Sequence, residues 1–230
     1  MHGIPWHDLS SNDASPVTGL SGTGRLADDL YLLAHNEVTG RPHLQPRAVG
    51  LGLAGALLAE LMLAGCIRLR AEQIVSAGHC PLRDGLARSV LRLVVSERGQ
   101  HAAGEWLLFL ARHAADDVAG RLEESGYLAR VASRRPWRAH RWVPTTSDSA
   151  FAPVLRVKSA LDPARPASIQ NVALAGLAAA CGLGRHLALY LPDGVHRRIE
   201  EVTRQLDPGL RDLIAHTQAA VDSALLSHRV

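Results

Sequence analysis

Apolar residues recur every three to four positions along most of the chain, and two-residue alternation is confined to short stretches. Leu26, Leu30 and Leu33 share one helical face, and residues 36–40 supply a turn. A long apolar run enters near Pro46 and predicts a helix ending around Gly65, after which Ile67, Leu69, Ile74 and Val75 read as short extended pieces. Leu86, Val90 and Val94 predict a third helix, with Arg83, Arg88 and Arg92 elsewhere on its surface. The stripe Leu107, Ala111, Ala115, Val118 and Leu122 predicts one long helix from about residue 104 to 125, stopped by Gly126. Residues 127–145 change to β-like pieces around residues 133–136 and read as a hairpin. Residues 172–191 carry only Arg185 as a charge and predict one buried helix, or two broken at Gly182 and Gly184. Val195, Ile199, Val202 and Leu206 mark a further helix. Asp207 and Pro208 then suit the N-cap and first residue of a last one bearing Leu210, Leu213, Thr217, Val221 and Leu225.

These elements predict an all-α, mainly helical fold: a compact multi-helix core with peripheral amphipathic helices and one β-hairpin. Residues 1–24 are rich in Ser, Gly, Pro, Asn and Asp without periodicity and read as a flexible arm, leaving one domain over residues 25–230. Composition agrees, because 47% hydrophobic and 20% charged residues describe a packed protein, while 4% aromatics leave Ala, Leu and Val to fill the core. The residues around Glu60 from 48 to 67 are long enough to span a bilayer. Four glycines interrupt them, and Glu60 would cost about 2.5–3.5 kcal/mol in hydrocarbon, so a buried core helix is expected there. Cys66, Cys80 and Cys181 are an odd set without CxxC spacing, which argues against a disulfide framework and for a reducing, cytoplasmic setting.

Candidate chemistry is sparse. Gly50, Gly52 and Gly55 spell a formal GxGxxG, yet no strand precedes them and no βαβ alternation follows, so close helix packing accounts for the spacing. His113, Asp116 and Asp117 fall within one helical turn but lack further ligands at zinc spacing. No GxSxG, HExxH or P-loop occurs, so neither enzymatic activity nor a cofactor or metal is expected.

One stretch stands apart. Residues 125–147 contain Arg130, Arg134, Arg135, Arg138 and Arg141, no acidic residue, and both Trp137 and Trp142. Arginine beside tryptophan on a protruding hairpin suits an anionic membrane surface, with indoles at headgroup depth and guanidinium groups on phosphates. Two other readings stay open. A helix followed by an arginine-rich wing resembles winged-helix nucleic-acid binders, although Asp116, Asp117, Glu123 and Glu124 would face phosphates unfavourably, so no nucleic acid is expected. The hairpin also suits a protein–protein adaptor or a homo-oligomer contact, since Trp and Arg are enriched at interface hot spots.

The order of four strings resembles the Golgi phosphoprotein 3 family over nearly all of residues 26–225: LADDLYLLAHNEVTGR at 26–41, GLAGALLAELMLAGCIRL at 52–69, VAGRLEESGYL at 118–128 and RRIEEVTRQLDPGLRDLI at 197–214. The resemblance implies an all-α core with one hairpin and a peripheral membrane protein that recognises anionic phospholipid headgroups, phosphatidylinositol 4-phosphate in eukaryotic members. The family's lipid pocket uses one tryptophan and three arginines beside the hairpin. Its first paired helix arginine falls on Arg112, while Ala115, Ala54 and about Gln45 stand at the other positions. On this reading Arg112 lies at the floor of the headgroup pocket, and Arg130, Arg134, Arg135 and Arg138 contact phosphates. Trp137 and Trp142 anchor the membrane surface, and Arg47 and Arg121 stand by as further cations.

Overall fold

The computed structural model describes residues 23–78, 80–97, 101–131, 141–191 and 194–227. At its centre is helix α2 (Pro46–Leu63), entered through Pro46 at the first helical position and flanked by α1 (Leu26–Ala34). The long apolar run is this helix, and 72% of it is buried, so it is a core element of the fold. Its glycines explain how neighbours approach so closely. A Cβ at Gly50 would overlap the Ala111 carbonyl, one at Gly52 the Cys181 sulfur and one at Gly55 the Thr217 hydroxyl. The GxGxxG pattern is therefore a packing device facing three different elements.

After α2 come strands β1 (Ile67–Arg70) and β2 (Gln73–Ser76), antiparallel and paired from Ile67↔Ser76 to Arg70↔Gln73. Ala71 and Glu72 adopt left-handed φ of 45° and 67° at their turn, the geometry that two-residue hairpins require. The fold thus holds a second hairpin beyond the one expected. Helix α3 (Gly85–Ser96) follows, capped by the Asp84 carboxylate, which accepts from the Ala87 amide at 2.7 Å.

The single helix expected over residues 104–125 is two: α4 (Ala103–Leu110) and α5 (Ala114–Glu124), separated by a turn at residues 111–113. Periodicity survives the break because Leu107 and Leu110 are buried on one side of it and Val118 and Leu122 on the other. The turn is where the Ala111 carbonyl lies against Gly50, a contact between segments 61 residues apart that no local pattern registers.

Strands β3 (Leu128–Val131) and β4 (Arg141–Pro144) form an antiparallel hairpin within residues 127–145, as expected, with Leu128↔Pro144 and Val131↔Arg141 as its outer pairs, while the β-like pieces expected around residues 133–136 lie outside the described residues. Helix α6 (Ser147–Leu161), which periodicity did not yield, follows directly, with Thr146 as its cap and Pro153 inside it. Residues 172–191 resolve into α7 (Ile169–Ala180) and the short α8 (Gly184–Leu187), as the glycine break suggested. Helices α9 (Val195–Thr203) and α10 (Pro208–Leu226) close the fold, with Asp207 capping α10 through the Gly209 amide at 2.9 Å.

One cysteine expectation is corrected. Cys66, at the end of the turn after α2, and Cys80, ahead of α3, are joined in a disulfide across a sequence separation of 14, and only Cys181 is free, buried in the core. Spacing along the chain does not reveal that their Cα atoms stand 5.2 Å apart. The cysteine argument for a reducing compartment falls with it.

Candidate functional site

The hairpin base and the α4–α5 turn rest on the same piece of chain. The connection from α1 to α2 is closed by Asn36, whose side-chain oxygen accepts from the Val38 and Thr39 amides at 3.2 and 2.8 Å and whose own amide donates to the Arg41 carbonyl at 2.8 Å. Gly40 takes φ of 61° there, and its α-carbon lies so near the Trp142 carbonyl of β4 that no side chain fits. Ten residues on, Gly50 meets Ala111, immediately before Arg112. Residues 40–50 thus bridge the two elements on which cationic side chains were expected to converge.

On the hairpin, the Arg130 guanidinium lies 4.6 Å from the centre of the Trp142 ring and also meets Glu123 at 3.5 Å. Trp142, expected as an anchor, is half-buried and packs against the edge of the core, so it serves as the seat of Arg130. The base is closed by the Thr145 hydroxyl, which donates to the Gly126 carbonyl at 2.8 Å. Arg134, Arg135, Trp137 and Arg138 lie outside the described residues. Arg112 is exposed on its turn, and Arg41, Arg47 and Arg141 are exposed as well. Of the other family pocket positions, Ala54 is fully buried within α2, Ala115 is half-buried, and Gln45 is exposed at the start of that helix.

Arg121 is not available as a further surface cation. It is 6% exposed and donates to Asp28 at 2.7 Å, Glu60 at 3.2 Å and Asp84 at 3.0 Å, tying α5 to α1, α2 and the start of α3. Burial pushes the Asp28 carboxyl up to about 6 even though Arg121 pulls the other way. Asp29, the next residue, is likewise pushed up to about 6 by burial, against the pull of Arg156, its partner from α6. Partial burial also works to raise Asp84, but the Ala87 amide and Arg121 hold it below the usual range. Consecutive aspartates inside an otherwise apolar stretch, and a glutamate alone in α2, are the marks by which sequence reasoning could have found this hub. Beside it, between α3 and α5, lies a cavity of about 890 Å³ with Arg88 and Arg92 on one wall and Asp116, Asp117 and Glu124 on the other. Arg112 does not line it.

A further cluster escaped the sequence reading. His43 stacks on His186 of α8 with ring centres 3.9 Å apart, and His186 meets Tyr190 edge-on at 5.3 Å. Burial and the neighbouring His43 hold the His186 imidazole below its usual range, with Glu37 acting the other way.

The family model for Golgi phosphoprotein 3 (GPP34) matches residues 26–217 of the chain. No curated protein matches it.

Proposed function

Since this chain belongs to the Golgi phosphoprotein 3 family, we propose that it is a peripheral membrane protein that acts by binding anionic lipid headgroups, of the phosphatidylinositol 4-phosphate kind by family resemblance, and not by catalysis. The observation that carries the reading is the shared seat: residues 40–50 meet the hairpin base at Gly40 and the Arg112 turn at Gly50. Arg112, Arg130, Arg134, Arg135 and Arg138 engage headgroup phosphates, and Trp137 is the interfacial anchor. Trp142 holds Arg130 by its ring face. With Ala54 and Ala115 at two family pocket positions, the phosphate contacts come from the surface of the hairpin and turn and not from an enclosed arginine pocket.

Co-sedimentation with vesicles tests this. Vesicles bearing phosphatidylserine or phosphatidylinositol 4-phosphate should retain the chain while pure phosphatidylcholine does not. Each basic group near an anionic surface contributes about 1 kcal/mol, so Arg112→Ala should weaken retention roughly fivefold, and Trp137→Ala should weaken it too. Equal retention by neutral and anionic vesicles, or no change in either variant, would overturn the proposal.

A further inference from the structure

We infer that Phe151, Leu189 and Tyr190 form a second anchor, apart from the hairpin, that seats between the headgroups of an anionic bilayer. The inference rests on the lipid-binding reading above and adds a surface to it. Leu189 is 75% exposed, Tyr190 40% and Phe151 39%, an accumulation of large apolar side chains in water at the end of α8 and the second turn of α6. The Phe151 and Tyr190 rings meet edge-on with centres 5.8 Å apart, and Leu189 precedes Tyr190 in the chain.

What commits this patch to a membrane is its continuity with the hairpin and its charge. Tyr190 touches His186, His186 stacks on His43, and His43 lies on the connection from α1 to α2, whose Gly40 abuts the Trp142 carbonyl. An unbroken series of contacts therefore runs from the hairpin base to α6 and α8, with the 71%-exposed Val38 on the same connection. The exposed cations along it are Arg41, Arg130, Arg141 and Arg185, against Glu37, Asp148 and the Glu123 paired with Arg130 as acids. Aliphatic and tyrosyl side chains with surrounding arginines match the interfacial zone of an anionic bilayer, where ring and hydroxyl meet apolar and wet layers together.

The test uses the full chain with phosphatidylcholine vesicles, with and without phosphatidylserine. Leu189→Glu changes an exposed position, so its fold is retained, as circular dichroism will verify. Loss of one buried apolar side chain predicts partitioning onto phosphatidylserine vesicles weaker by about tenfold or more. Leu189→Trp should keep wild-type partitioning and show an emission blue-shift on binding. If Leu189→Glu partitions like the wild type while Arg112→Ala is weakened, this anchor is refuted and the headgroup reading stands. If the wild type does not prefer phosphatidylserine vesicles, both fall. If Leu189→Glu leaves partitioning intact but lowers the mass measured by light scattering, the patch belongs to a second copy of the chain and the inference is overturned.

Discussion

Arg121 shows how a single side chain organises the interior. A guanidinium surrounded by Asp28, Glu60 and Asp84 compensates carboxylates that burial alone would not tolerate as anions. Such a pair adds little over well-packed apolar residues, but removing one partner is costly, so Arg121→Met should lower unfolding free energy by about 3–5 kcal/mol in urea titration. The neighbouring Asp29 has a pH signature. Its carboxyl is pushed up to about 6 from an ordinary 3.8, so its stabilisation is present below 3.8 and is lost as pH rises through about 6. His35 acts oppositely. Burial lowers its imidazole from 6.5 to about 4, so the unfolded chain takes up the proton first and stability grows as pH rises from about 4 to 6.5. Asp28, its carboxyl also pushed up to about 6, adds a slope in the same direction as Asp29, and His35 offsets only part of the two. Asp29→Asn removes one of the two falling contributions, so its melting temperature should fall less, or rise more, between about pH 4 and 6 than that of the wild type.

At the scale of elements, close contacts at glycine decide where chains turn. Gly50→Ala puts a methyl into the Ala111 carbonyl, so α2 and the α4–α5 turn must separate. Such overpacking costs about 1–3 kcal/mol, and because Arg112 follows Ala111, the same variant should weaken retention on anionic vesicles beyond its effect on stability. The broken helix illustrates why local reading stops short. Residues 104–125 keep their apolar period through the turn, so the stripe is legible, whereas the change of direction answers to a contact with α2. Helix α6 was missed for a related reason. Pro153 lies inside it, and its buried face is built mostly of Ala150, Ala152, Val154, Val157 and Ala160, a weak signal that docking against α1 and α7 makes sufficient.

For the molecule as a whole, the Cys66–Cys80 bond ties the end of α2 to the approach to α3. A loop of about 15 residues closed in this way stabilises by roughly 3 kcal/mol, chiefly through the unfolded chain. Reduction, or Cys80→Ser, should therefore shift the urea midpoint downward, and the native chain should take up no alkylating reagent until a reductant is added, with Cys181 protected by burial until denaturation. Most helices, the capped start of α10, the central apolar helix and the basic hairpin could be read along the chain, because period, cap chemistry and glycine stops act between residues a few positions apart. The pairing of Cys66 with Cys80, the convergence of three carboxylates on Arg121, the stack of His43 on His186 and the common seat of the hairpin and Arg112 join residues 14 to 143 positions apart. Such contacts leave no periodic trace, because packing in three dimensions, and not order along the backbone, brings those groups within a few ångströms of one another.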